Sequence, residues 1–248
     1  MKMTKSTQFW GIVPAAGVGK RMNAHCPKQY LQLVTQNSQN LTVACSVIEQ
    51  TLSRLISSDV FEKIVVAISA DDAYWPDLPI STHAKILLAQ GGKERADSVL
   101  NALLALDGIA NFEDWVLVHD AARPCLTKED IHLLISTLRE DYVGGILALS
   151  SHDTLKEVHD NHIASTLDRN VIWRALTPQM FRYGLLKQAL EQTQGNDAVT
   201  DEASALEMQG FTPKIVEGRS DNIKITRPED LALAQFYLTM QHSTTPNP

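Results

Sequence analysis

Cysteine is scarce in this chain. Cys26, Cys45 and Cys125 are the only three in 248 residues. An odd, widely spaced set excludes a disulfide framework, and the absence of any C-x-x-C pair removes the usual zinc signal. A reduced compartment fits this usage. The eight histidines never take a close metal-ligand spacing such as H-E-x-x-H. No run approaches the roughly 18 apolar residues of a membrane span. The opening MKMTKSTQFW lacks the apolar stretch of a signal peptide, so the expected location is cytoplasmic. Positive charge is also in short supply: 22 Lys and Arg face 29 Asp and Glu, a formal net charge of -7. Such a surface argues against general nucleic-acid or anionic-membrane binding. Any anionic ligand must be held by a local cluster of cations.

What is present is ordinary globular composition, 44% hydrophobic and 21% charged, with enough chain for one sizeable core. There is no internal repeat and no low-complexity tract. A single domain is expected over residues 1–240, followed by a polar tail, QHSTTPNP from Gln241, that should fray. Short β-branched runs read as buried strands: FWGIVP from Phe9, KIVVAIS from Lys63, AKILLA from Ala84, WVLVHD from Trp115 and GGILAL from Gly144. They are nearly apolar on both faces, as strands of a helix-covered parallel sheet must be.

Helical spacing of apolar residues lies between them, over Thr42 to Leu55, Glu94 to Leu106 and Lys128 to Leu138, the last preceded by Thr127 as N-cap. Thr226 and Glu229 stand at capping-box spacing before a helix expected to reach about Thr239. The alternation predicts an α/β fold, a Rossmann-like doubly wound and mostly parallel sheet with right-handed crossovers. Ligands in such sheets sit beyond the C-terminal ends of the strands.

One segment departs from this rhythm. Asp153 to Arg169 has two β-like halves around Asp160-Asn161, a good two-residue turn. The halves carry little core material, and a lone hairpin is marginal in water. It reads as an arm at about residues 150–170, stabilised by another surface. A second copy of the chain is the economical partner, with hairpins exchanged around a two-fold axis.

The first strand leads into Pro14-Ala15-Ala16-Gly17-Val18-Gly19-Lys20-Arg21. A dinucleotide fingerprint requires a third glycine where Met22 stands, and no acid ends the KIVVAIS strand. A Walker loop requires a glycine where Pro14 stands and a magnesium-binding hydroxyl where Arg21 stands. Small residues let backbone N–H groups approach a ligand closely. Lys20, Arg21 and Lys28 add three cations within nine residues of an acidic chain. A polyphosphate is the ligand this combination suits.

PAAGVGKRM followed by PKQY resembles the N-terminal signature of the sugar-nucleotide-type nucleotidyltransferases. The chain is more narrowly similar to the family of 2-C-methyl-D-erythritol 4-phosphate cytidylyltransferases. That likeness is carried by GGKERADSV, VHDAARPC, DTLK, DRN, LTPQ, TDEASALE and EGRSDNIKIT in this order. The resemblance implies attack of a polyol phosphate on the α-phosphorus of CTP, with loss of pyrophosphate and without a covalent enzyme intermediate. Two polyanions must meet, so positioning and electrostatic stabilisation should dominate.

By the same resemblance, Arg21 and Lys28 would stabilise the pentacovalent phosphorus and the triphosphate. Ala15, Ala16 and Gly17, with Gly19, would cradle the nucleotide through the backbone. Gly92 and Ser98 would read cytosine. Some relatives carry an acid after the two glycines where this chain has Lys93, so the contacts expected there are to the backbone. Asp120 and Arg123 would serve the polyol hydroxyls, or form an ion pair that shapes the loop. Thr154 and Arg169 on the arm would contact the acceptor across the subunit boundary. Thr177 and Lys224 would complete the acceptor-phosphate pocket. Magnesium, Mg2+, would be held mainly by CTP phosphates and water, and the implied assembly is a homodimer with arm exchange.

The acids of TDEASALE read instead as helix-start residues, with Thr200 as the cap, and His119 as a packing residue at a strand end. Other readings stand beside the first: a ribitol 5-phosphate cytidylyltransferase, an NAD-dependent oxidoreductase, and a nucleotide sensor without turnover.

Overall fold

The computed structural model describes residues 7–17, 26–36 and 41–243. β1 (Phe9–Pro14) opens the chain and is buried through its centre. β2 (Gln32–Gln36) and β3 (Thr42–Ser46) form a small antiparallel ladder. α1 (Val47–Ser57) follows directly. The helix expected from Thr42 therefore starts later. Thr42 and Val43 are β-branched and suit a pleated strand. Ser46 then caps α1 by accepting from the Glu49 N–H, while Glu49 accepts from the Ser46 N–H.

β4 (Lys63–Ile68), β5 (Ile86–Gln90), α2 (Arg95–Leu104), β6 (Trp115–Val118), α3 (Lys128–Leu138) and β7 (Gly144–Ser150) continue the alternation. Among the described residues, β8 (Lys156–His159) and β9 (His162–Thr166) pair only with each other. β10 (Trp173–Arg182), α4 (Tyr183–Gln192), α5 (Glu202–Met208), β11 (Lys214–Glu217) and α6 (Pro228–Ser243) complete the chain.

Among the described residues the main sheet has seven strands in the order β11-β7-β10-β6-β1-β4-β5. Every described pairing in it is parallel except those of β10, which runs antiparallel to both β6 and β7. Neighbouring strand residues feed opposite faces. Ile12, Val65 and Val118 join one core cluster with α2, α4 and α5. Val13, Val66 and Leu117 join the other with α1 and α3. Both faces are covered, so the continuous apolar runs are satisfied, as a doubly wound sheet requires. A third cluster packs Ala234 and Leu238 of α6 against Leu33 and Val47.

β10 and β11 carry no clear strand signal. Pro178 interrupts β10, and its pairing with β7 shifts register between Ala175 and Gln179. A proline inside an apolar run argues against a strand unless such an irregularity absorbs it. β11 has four residues and lies at the sheet edge. At α6 the capping acid is Asp230 rather than Glu229. Its Oδ2 accepts from the Thr226 and Arg227 N–H groups and from the Thr226 hydroxyl. The helix expected to end near Thr239 continues through Ser243, and residues 244–248 of the expected tail lie outside the described residues. The Gln241 side chain donates to the Cys125 carbonyl and Asp221 and accepts from Arg54. No helix among the described residues is long and apolar enough to cross a membrane.

The hairpin is as expected. Asp160 and Asn161 both have positive φ, 48° and 62°, the signature of a type I′ turn. Every residue of β8 is exposed, and Ile163 on β9 is 66% exposed.

Candidate active site

A cavity of about 430 Å³ lies beyond the C-terminal ends of β1, β5 and β6. Pro14 to Gly17 enter it from β1, Gly92 to Arg95 and Ser98 from the β5–α2 junction, and Asp120 to Ala122 from the end of β6. Lys28 comes from a 3-10 turn, and Lys224 and Thr226 come from the approach to α6.

Several buried bonds fix the wall. The Ala15 N–H donates to Ala67, extending the sheet ladder by one bond. The Ala15 carbonyl accepts from Gln29 Nε2 at 2.7 Å, and Gln29 is 4% exposed. That bond clamps the opening loop to the turn that carries Lys28. Lys28 Nζ in turn donates to the Ile225 carbonyl at 3.0 Å, so the neighbourhoods of Lys28 and Lys224 converge. The two glycines of the β5–α2 loop permit close approach. A Cβ on Gly91 would stand 2.2 Å from Ala16 Cβ, and one on Gly92 would stand 2.1 Å from Asp97 Cβ. The Gly92 N–H donates to Ser98 Oγ at 3.0 Å, and Ser98 passes its own proton toward the Glu94 carbonyl at 3.2 Å.

The floor is an ionic cluster. Asp120 Oδ1 meets Arg95 Nε at 3.1 Å. Its Oδ2 meets Lys224 Nζ at 2.8 Å and Arg123 Nε at 3.4 Å. Burial by itself would raise the Asp120 pKa, but Arg95, Lys224 and Arg123 outweigh it and hold this carboxylate well below the usual range. Arg95 also grips Glu202 with Nη1 at 2.6 Å and Nη2 at 3.1 Å. The Glu202 side chain is 1% exposed. Burial pushes its carboxyl up, and Arg95 pulls it back only in part.

Behind Asp120 stands a neutral relay. His119 is wholly buried, which pushes its pKa down to about 4. Its Nε2 lies 3.0 Å from the Arg123 carbonyl, which can only accept, so Nε2 carries the proton. Nδ1 is then an acceptor for the Thr177 hydroxyl at 3.0 Å, and Thr177 Oγ1 accepts from the Asp120 N–H.

The structure thus brings Ala15, Ala16, Gly17, Lys28, Gly92, Ser98, Asp120 and Lys224 around one cavity. Lys93 lines it as well. Arg123 and Thr177 are buried and stand behind Asp120 rather than in the cavity wall. Gly19 and Arg21, with Lys20 and Met22, lie outside the described residues. Thr154 and Arg169 lie on the arm, apart from the cavity within this chain. Arg169 Nη1 donates to the His152 carbonyl at 2.9 Å, in a second recess with Ser150, Ser151 and Asn170.

Arg95, Gln29 and Glu202 escaped the sequence reading. By position alone Glu202 reads as a helix-dipole residue, and the N-cap is Asp201, not Thr200. A signal did exist: Glu202, Ala205 and Leu206 share a buried helical stripe, and a carboxylate on such a stripe demands a cationic partner.

The family described as 2-C-methyl-D-erythritol 4-phosphate cytidylyltransferase matches residues 10–240. A Pseudomonas entomophila (strain L48) protein of that name is 51% identical over 226 residues, covering 90% of this chain and 92% of that protein. One from Vibrio vulnificus (strain YJ016) is 48% identical over 237 residues, covering 95% and 96%. The crystal structure of the Francisella tularensis protein of that name aligns with a TM-score of 0.77 at 38% identity, over 93% of this chain and all of that one. A crystal structure described as 4-diphosphocytidyl-2C-methyl-D-erythritol synthase aligns with a TM-score of 0.79 at 33% identity, over 95% of this chain. With a match spanning the cavity, its glycine loops and the ionic floor, the chain belongs to the 2-C-methyl-D-erythritol 4-phosphate cytidylyltransferase family.

Proposed function

We propose that this protein transfers the cytidylyl group of CTP to 2-C-methyl-D-erythritol 4-phosphate, releasing pyrophosphate. The acceptor phosphate oxygen forms a bond to the α-phosphorus as the bond to the leaving pyrophosphate breaks. A phosphate monoester already carries an anionic nucleophile, so the site need supply no strong base. What it must supply is charge, because both reactants are anions. The single observation that carries this reading is the convergence of Lys28 and Lys224 on one cavity closed by the small residues after β1. In this reading Lys28, with Arg21, offsets charge growing on the transferred phosphorus. Gly92 and Ser98 face the cytosine, and Lys224 holds the acceptor phosphate.

Magnesium belongs to the same reading. The carboxylates on the cavity wall are Glu94 and Asp120 among the described residues, and both oxygens of Asp120 already face cations. Among the described residues no group of three or more His, Cys, Asp or Glu side chains could hold a metal. A dedicated protein cage does not fit this donor set. Mg2+ would enter bound to CTP phosphate oxygens and water.

The exposed hairpin supports a homodimer in which the arm carries Thr154 and Arg169 to the other subunit's cavity. A cytoplasmic setting is part of the proposal, in keeping with the three unpaired cysteines. Pyrophosphate release from CTP, measured across a panel of polyol phosphates, tests the reaction. The expected result is turnover with methylerythritol phosphate well above that with ribitol 5-phosphate. Preference for ribitol phosphate would reassign the acceptor, and NADH binding without CTP binding would remove the reaction class.

A further inference from the structure

Arg95 lines the cavity, yet its best-formed contacts are to protein carboxylates. The end-on fork is taken by Glu202, at 2.6 and 3.1 Å. The Nε edge is taken by Asp120 Oδ1, at 3.1 Å. Three of the five N–H donors of a guanidinium are therefore spent on protein carboxylates. An arginine recruited to grip a phosphate offers its fork to the ligand; this one offers the fork to a buried glutamate. Asp120 then divides its two oxygens, one for Arg95 and the other for Lys224 and Arg123.

We infer that Arg95 is a positioning residue for nucleotidyl transfer, anchored by Glu202 on α5 and acting on Lys224 through Asp120. This inference rests on the cytidylyltransferase reading of the cavity. The physical case concerns where one negative charge is held. With Arg95 in place, Asp120 is fixed at one oxygen and meets the Lys224 ammonium with the other. Without Arg95, the carboxylate is free to turn both oxygens toward Lys224 and Arg123, drawing the ammonium away from the acceptor phosphate. Glu202 serves as the fixed end of the chain. Its burial and two-point grip leave the guanidinium one orientation, which a lysine at the same place cannot reproduce.

The alternatives predict different kinetics. A direct triphosphate contact would make Arg95 a matter of charge and of CTP binding. A purely structural role would leave turnover intact in any variant that folds. Removing Arg95 alone strands the Glu202 carboxylate in the interior, which is destabilising. The double variant Arg95→Met with Glu202→Leu removes both charges together and avoids that penalty.

The experiment measures kcat and KM for CTP and for methylerythritol phosphate. It uses wild type, Arg95→Lys, Asp120→Asn, Arg95→Lys with Asp120→Asn, and the Met/Leu double variant. Thermal unfolding is followed for each, and assays run below every melting temperature. The expected result is a kcat loss on the order of thirtyfold or more in Arg95→Lys and in the Met/Leu variant, with the KM for CTP within about threefold. Arg95→Lys should add less than about threefold to the loss already caused by Asp120→Asn, because the two act in series. Multiplicative losses in that pair would overturn the inference, as would a folded Met/Leu variant with near wild-type kcat. A rise in the KM for CTP at constant kcat would make Arg95 a nucleotide ligand and overturn it equally. A wild-type protein that releases no pyrophosphate would sink the underlying reaction itself, an outcome distinct from the other three.

Discussion

In the proposed reaction a single ammonium at Lys28 would do more in the transition state than in the ground state. Lys28→Ala should therefore lower kcat on the order of a hundredfold while changing the KM for CTP far less. Steady-state kinetics at saturating acceptor checks this, and weaker binding at unchanged kcat would contradict it. His119 makes a second residue-scale prediction. Its pKa is about 4 in the fold and roughly 6.5 in an unfolded chain. Between those values the unfolded chain holds the extra proton, so stability falls as pH drops from about 6.5 toward 4. Above that window His119 contributes no slope. His119→Gln should flatten the dependence by up to about one proton, read from denaturant melts at pH 7.5 and pH 5. Equal slopes would refute the assignment. The sequence discloses Lys28 and Arg95 unequally. Lys28 was visible because a cation followed a glycine loop, whereas Arg95 was hidden because its meaning lies in a contact with Glu202, 107 positions along the chain. Local spacing reports on neighbours along the backbone, not on ion pairs closed by tertiary packing.

Elements were legible where one period dominated. β1 and α3 occupy the expected ranges because an apolar run and a capped helical stripe admit one reading each. The Thr42 to Ser46 stretch is ambiguous in sequence because its apolar residues fit a helical stripe as readily as a strand, and pairing with β2 decides between them. The cap that divides β3 from α1 is itself testable. Ser46→Ala removes the oxygen that accepts from Glu49 N–H and should cost about 1 kcal/mol of stability. Chemical denaturation gives the answer, and a loss below about 0.3 kcal/mol would show that Glu49 and packing suffice. β10 shows the converse limit. Pro178 argues against a strand on local grounds, while two flanking strands impose one.

For the whole molecule, the fold class follows from the alternation of strands and helices, but the site as proposed is complete only across two chains. If the arm delivers Arg169 to a neighbouring cavity, an Arg169→Ala chain mixed with a Lys28→Ala chain regains intact sites. Random exchange makes half the dimers mixed, and one site in each is whole, so about a quarter of wild-type activity should return. Verified mixed dimers without recovery would confine the arm to its own subunit.

Depth also separates two classes of charge in this protein. Glu202 and Asp120 have side chains 1% and 9% exposed, whereas that of Lys224 is 35% exposed. Dissolved ions, which screen over about 8 Å at physiological strength, act on exposed charges far more than on buried ones. Added potassium chloride should therefore weaken capture of the two anionic substrates while leaving the melting temperature almost unmoved, so that this enzyme loses its grip in brine well before it loses its shape.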